Sequence, residues 1–239
     1  MTHALKRVAR NLARDVDSLV FSPPITHIYN PLDYAWRMHG AYLESYGEGS
    51  KQVVFLGMNP GPWGMAQTGI PFGEVSAVKD WLKLDAPIGR PPNEHPKRPI
   101  KGLACPRSEV SGKRLWGLFA NQFDSPESFF ENHLVINYCP LVFMAESGRN
   151  VTPDKLPARE TVRLMEACDR HLRSVVRNTN PEWLVAVGTY AEARIQSALG
   201  KAAPRVGRIL HPSPASPLAN KDWAGTALRQ MREQGIWSS

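Results

Sequence analysis

The stretch Gly57–Gly73, GMNPGPWGMAQTGIPFG, restricts what this chain can fold into more than any other segment. It holds five glycines and three prolines in seventeen residues, with no charged side chain. Glycine permits close backbone approach or positive φ, and proline holds φ near about −65°, so the segment reads as a stiff loop. It follows Val53-Val54-Phe55-Leu56, an apolar run that reads as a buried strand. It precedes Val75–Leu84, whose spacing predicts a helix. A loop beyond the carboxyl end of a buried strand is where an α/β sheet places ligands. No Gly-Lys-Ser/Thr follows, so the loop is not a phosphate-cradling P-loop.

The same alternation recurs along the chain. Leu134–Cys139, Trp183–Gly188 and Val206–Leu210 read as further strands. Helical spacing covers residues 4–19, Tyr34–Tyr46, Ser125–Glu131, Ala158–Arg177 and Leu218–Gln234. Ser111 is the expected cap of a helix over Gly112–Gln122, and Thr189 that of a helix running to Leu199 and stopping at Gly200. Phe21–Asp33 reads as an extended arm packed on the body. Pro87–Lys113 is a long, proline-rich, basic connection, read as an ordered arm near the path of a phosphate backbone. Strands alternating with helices imply an α/β fold, a three-layer α/β/α sandwich on a four-stranded parallel sheet. A single domain over 1–239 is expected, with the N-terminal helix and arm, 1–33, packed on it. All four strand ends then open on one edge, which gathers Asn59, Asn137, Gly188 and His211.

Composition narrows the partners. The formal charge of +7 and pI near 9.5 suit a polyanion. On the helix over 4–19, the basic face of Lys6, Arg7, Arg10 and Arg14 reads as a solvated face in preference to a DNA contact. Cys105, Cys139 and Cys168 are far apart and form no CxxC or Cys/His cluster, so no metal site is expected. They read as buried small hydrophobes in a reducing compartment. No apolar run approaches the roughly 18 residues of a membrane span, and no secretory segment opens the chain. A cytoplasmic protein in a bacterium, or a nuclear one in a eukaryote, is the expectation.

GMNPGPWGMAQTGIPFGEV, EHPKRPIKGLACPRSEVSG, NYCPL, SGRNVTP and HPSPASPLANK closely resemble motifs of the single-strand-selective monofunctional uracil-DNA glycosylases, a branch of the uracil-DNA glycosylase superfamily. The resemblance runs from about Phe21 to the C-terminus. It implies a DNA glycosylase of base excision repair, monomeric and without a cofactor. Such an enzyme flips uracil, 5-hydroxymethyluracil or a related base out of single- or double-stranded DNA. It hydrolyses the glycosidic bond and leaves the backbone uncut.

The resemblance also implies roles. Phe72 is the stacking platform. Asn137 reads the base edge, since a fixed amide can donate to O4 and accept from N3–H, whereas cytosine presents the opposite pattern. Asn59 orients the attacking water; an amide can position but cannot take a proton. Catalysis must then lean on the leaving group, and His211 is set to hydrogen-bond O2 as negative charge grows there. Gly57, Met58, Gly61 and Met65 line the pocket. The missing side chain of Gly61 leaves room at the 5-position for a water or a hydroxymethyl group. Trp63 stands where many relatives have phenylalanine. Pro212, Ser213, Pro214, Ala215, Ser216, Pro217, Asn220 and Lys221 form the wedge that fills the duplex behind the flipped base. Ala215 and Ser216 depart from the arginine and asparagine of the vertebrate pattern, with Lys221 and Arg208 as candidate compensation. No lysine lies in either catalytic loop, so no Schiff-base lyase step is expected.

Two other classes compete. An enzyme of free nucleotides would show an acidic metal cluster beside the loops. A non-catalytic binder of single-stranded nucleic acid would interleave aromatic and basic residues along a groove, and would leave Asn59, Asn137 and His211 without a task.

Overall fold

The computed structural model describes residues 2–238, so the two terminal residues of the expected 1–239 domain lie outside the described residues. The chain opens with α1 (Thr2–Asp17), β1 (Ile25–Tyr29), α2 (Pro31–Tyr34) and α3 (Trp36–Tyr46). It continues through β2 (Val53–Gly57), α4 (Met65–Thr68), α5 (Val110–Gln122), α6 (Pro126–Asn132) and β3 (His133–Asn137). The last part comprises β4 (Val142–Ala145), β5 (Asn150–Val151), α7 (Ala158–Thr179), β6 (Trp183–Val187), α8 (Thr189–Leu199), β7 (Arg205–Ile209) and α9 (Pro217–Glu233).

Strands β3, β2, β6 and β7 lie in that order in one sheet, and every pair is parallel. Helices flank this sheet. Every residue of β2, β3 and β6 is buried, as a parallel sheet covered on both faces requires. Helix α1 packs on α7, α7 on α8, and α5 against α9. The register sets Gly57 beside Asn137 and Val187 beside Ile209, so the loops after β2, β3, β6 and β7 emerge along one edge.

Several local expectations are corrected. The arm Phe21–Asp33 is not merely extended: β1 joins β4 and β5 in a second, antiparallel sheet. The helix expected over Val75–Leu84 is present from Val75 to Trp81 but continues as a π-helical segment over Ala77–Trp81 and stops early; the Leu82 amide bonds to the Ala77 carbonyl, and Lys83 at φ 53° turns the chain away. Ser111 does not cap α5, because the helix starts at Val110, two residues before the expected Gly112, with Glu109 at the cap. Thr189 is likewise inside α8, with Gly188 at the cap. Ser125 does cap α6, in a reciprocal box with Ser128.

The long connection from Pro87 to Lys113 is held by side chains. The Tyr29 hydroxyl donates to the Arg98 carbonyl and accepts from the His95 amide. Gln67 donates to the Pro99 carbonyl and accepts from the Lys101 amide, while Glu94 accepts from the Ile100 amide. The basic face of α1 is partly used internally: Lys6 pairs with Glu44, and Arg10 stacks on Trp36.

Candidate active site

At the carboxyl edge of the parallel sheet lies a cleft of about 510 Å³. Met58, Asn59, Pro60, Gly61 and Phe72 line it from the glycine–proline loop, Asn137 from the end of β3, and His211, Ser213, Ala215 and Ser216 from the loop after β7. Residues separated by up to about 150 positions in sequence thus converge because parallel strands deliver their loops to the same side.

Phe72 adopts φ 53°, a left-handed conformation that disfavours a bulky side chain. The surrounding contacts impose it. Its carbonyl accepts from the Glu74 amide, the preceding carbonyl of Pro71 accepts from the Trp116 indole, and Gly112 of α5 packs so closely on the Phe72 carbonyl that no Cβ would fit. The ring is thereby fixed 6.3 Å from the His211 ring, centroid to centroid.

Asn137 is buried. Its Nδ2 donates to the Met65 sulfur at 3.2 Å, and its Oδ1 is buried with no partner. An orphaned amide oxygen costs on the order of 1–3 kcal/mol, and a ligand N–H would satisfy it. Gly57 lies beneath, against both the Asn137 amide and the Phe72 ring.

Asn59 donates from Nδ2 to the Leu141 carbonyl at 3.1 Å. That bond fixes which end of the amide is which and leaves Oδ1 as an acceptor. His211 accepts at Nδ1 from the Ser213 amide at 3.1 Å. The proton of the neutral ring therefore sits on Nε2, available as a donor. Burial lowers the His211 pKa to about 4, so the ring is neutral at physiological pH.

The structure does not bring every expected residue to the cleft wall. Met65 is fully buried behind Asn137. The room above Gly61 is not open: the Glu109 carboxyl occupies it and also crowds Gly64, which corrects the expectation of a vacancy there. Within the expected wedge, Asn220 is tied inward, donating to the Pro214 carbonyl, and Ser216 caps α9. Pro217 is the first residue of α9, and Lys221 is exposed. Arg208, a candidate for compensating Ala215, forms a partly exposed ion pair with Glu192 at 2.8 Å.

The structure adds two functional candidates, Glu109, which lies in the EHPKRPIKGLACPRSEVSG motif, and Arg114, which lies outside every quoted motif. Glu109 lines the cleft, and burial, with the nearby Glu74 carboxyl adding, pushes its pKa up to about 7. Arg114 of α5 donates to the Pro212 carbonyl and to Asn220 Oδ1, both at 3.0 Å, and so braces the loop after His211. Asn150 and Thr152 also reach the cleft. They belong to the SGRNVTP motif, although neither was singled out. Among the described residues no cluster of His, Cys, Asp or Glu is arranged to hold a metal ion.

The profile of the uracil DNA glycosylase superfamily matches residues 44–232. A Bos taurus protein named single-strand selective monofunctional uracil DNA glycosylase is 50% identical over 224 residues, spanning 93% of this chain and 82% of that protein. A Mus musculus protein of the same name is 48% identical over 227 residues, spanning 94% and 81% respectively. The crystal structure of wild-type Pedobacter heparinus SMUG2 is similar in fold, with a TM-score of 0.69 at 18% identity over 96% of this chain and 97% of that one.

Proposed function

The chain belongs to the uracil-DNA glycosylase superfamily, and from that premise we infer what each wall of the cleft does. The protein is a monofunctional uracil-DNA glycosylase of base excision repair, a hydrolase of N-glycosyl bonds. Its substrate is a uracil, or a 5-substituted relative, turned out of single- or double-stranded DNA into the cleft. We read residues 1–239 as one catalytic domain acting as a monomer.

In this reading the base stacks on Phe72, and Asn137 accepts N3–H at Oδ1 while donating to O4 from Nδ2. Cytosine would face a donor with a donor and an acceptor with an acceptor, and is refused. Asn59 Oδ1 accepts a hydrogen bond from water and aims it at the sugar carbon. An amide cannot take the proton, so the water attacks late, after the glycosidic bond has largely broken. The electron pair of that bond passes to the base, where O2 gains negative charge, and His211 Nε2–H donates to it. The imidazole acts neutral, as a fixed donor and not as an acid.

The observation that carries this reading is the convergence of an acceptor amide, an unpartnered buried amide oxygen, an aromatic ring and a neutral imidazole donor on one cleft. The test is release of free uracil from oligonucleotides, followed by chromatography under single-turnover conditions. Asn59→Ala and His211→Ala are each expected to lose about 100- to 1000-fold in rate while still binding abasic product DNA. Borohydride should trap no enzyme–DNA adduct. Wild-type rates in either variant would overturn the assigned roles.

A further inference from the structure

Trp63 follows the cleft-lining residues Pro60, Gly61 and Pro62 and carries two cations on its indole. The guanidinium carbons of Arg98 and Arg107 each lie 4.9 Å from the ring centroid. The two charges are therefore within about 10 Å of each other, where like charges repel. Yet no carboxylate pairs with either arginine among the described residues. The Arg98 guanidinium donates only to the Lys97 carbonyl, and its Nε is buried without a partner. Arg107 is exposed, and its guanidinium makes no hydrogen bond. The nearby carboxyl groups are turned elsewhere: Glu94 accepts from the Ile100 amide, and Glu109 is wedged against Gly61 and Gly64.

The backbone beneath these groups is fixed. Gln67 donates to the Pro62 carbonyl at 3.1 Å and to the Pro99 carbonyl at 3.2 Å, so one side chain clips the residue before Trp63 to the residue after Arg98. The Tyr29 hydroxyl holds the Arg98 carbonyl, and Pro99 and Pro106 restrain the chain beside the two arginines. Free guanidinium groups ordered on an aromatic face suit an anion strung along a chain. Their place suits it too. In the sheet β6 lies between β2 and β7, so the rim bearing Trp63 faces the loop after β7 across the cleft. A strand whose base enters the cleft must lay its phosphates over one of these rims.

We propose that Trp63, Arg98 and Arg107 form a phosphate-binding subsite that grips the backbone of single-stranded DNA beside the flipped nucleotide. The inference rests on the proposed function for the path of that strand. The subsite needs one strand only, whereas a wedge needs a duplex to open. The indole orders both guanidinium groups before DNA arrives, so less freedom is lost on binding.

The test is the salt dependence of binding to a uracil-free single-stranded oligonucleotide, followed by fluorescence anisotropy. Wild type is compared with Arg98→Gln, Arg107→Gln, Arg107→Lys, Trp63→Leu and Lys201→Gln. On a single strand each contacted phosphate contributes about 0.7 to the slope of log Kd against log salt concentration. Arg98→Gln and Arg107→Gln should each lower the slope by about that amount, and Arg107→Lys should keep it. Trp63→Leu leaves the charges but not their order, and should weaken binding by about three- to tenfold. Lys201→Gln removes an exposed charge on the turn before β7, at the opposite edge of the sheet, and should change neither quantity. Wild-type slopes in the two arginine-to-glutamine variants, an equal drop in Lys201→Gln, or wild-type affinity in Trp63→Leu would overturn the proposal. Arg107 is exposed, so its variant decides even if Arg98→Gln does not fold. Failure of wild type to release uracil would strike the glycosylase reading and leave these slopes untouched, so the two failures are distinct.

Discussion

Gly57 and Asn137 are register partners at the carboxyl ends of β2 and β3, and a Cβ on Gly57 would overlap both the Asn137 amide and the Phe72 ring. The glycine is thus what lets the base reader and the platform share one floor. Gly57→Ala should push both aside. Overpacking of this kind costs about 1–3 kcal/mol, and a displacement near 1 Å at a reacting centre costs about 100-fold in rate. Thermal melting and single-turnover uracil release should both fall, the rate by about 100-fold. A destabilised variant with wild-type turnover would mean that neither residue touches the base.

His211 should impose no inflection near pH 6.5 on the excision rate. Its ring is held neutral by burial, with the pKa lowered to about 4, and the Ser213 amide already occupies Nδ1. The rate attributable to His211 should be flat from about pH 5.5 to 8 and change only as pH falls toward 4. Measuring the profile in Glu109→Gln removes the overlapping titration of that carboxyl, whose pKa is about 7. An acid-dependent rise centred near 6.5 would show that the imidazolium is the working form.

What could be read in the sequence follows from physics that is local. Three of the four parallel strands, β2, β3 and β6, are buried throughout and appear as largely apolar runs, whereas the edge strand β7 carries exposed Arg205 and Arg208, and glycine or proline marks the exits. Asn59, Asn137 and His211 were legible as cleft residues because each lies at or just beyond such an exit. The small sheet was not legible. β1 pairs with β4 across more than a hundred residues, with register shifting between Ile25 and His27, and strands of two to five residues, β4 wholly buried and β1 and β5 partly so, carry little periodicity of their own. Arg114 was illegible for a related reason: a lone charged residue near a helix start reads as ordinary surface, and only the folded chain brings it against Pro212; Glu109 lies in a quoted motif, but its place against Gly61 likewise appears only in the fold. The vacancy expected above Gly61 failed on the same point, since a missing Cβ says nothing about what another segment places there.

Arg114 should matter more for duplex than for single-stranded substrate. It joins α5 to the loop after His211 through the Pro212 carbonyl and Asn220, and Asn220 in turn holds the Pro214 carbonyl. The tip carrying Ala215 is therefore braced from behind, and a wedge that must displace stacked bases needs that stiffness. Arg114→Ala should lower the ratio of double- to single-strand excision by about tenfold, as loss of positioning does. Ala215→Arg should raise the ratio by supplying a larger plug. If both ratios stay at the wild-type value, this loop does not enter the duplex.

Stability should depend on pH in opposite senses at two sets of buried groups. Burial lowers His39, His133 and His171 to about 4. His133 shows why: Nδ1 lies 2.8 Å from the Phe129 carbonyl and Nε2 accepts from the Trp237 indole at 3.0 Å, an arrangement only the neutral ring can make. These folded pKa values lie below the unfolded value near 6.5, so the unfolded chain takes up protons first. Their contribution is whole above 6.5 and is lost as pH falls through 4, at up to about 1.4 kcal/mol per pH unit for each ring. Glu109 runs the other way. Its folded pKa of about 7 lies above the ordinary 4.5, so its contribution is whole below 4.5 and is lost as pH rises through 7. Glu109→Gln removes that loss. The melting temperature of the variant, relative to wild type, should therefore climb between pH 4.5 and 8, equivalent to about 2 kcal/mol at the alkaline end. A gap that stays constant across the range would mean that the carboxyl is ionised in the folded protein and has found a charge-stabilising partner.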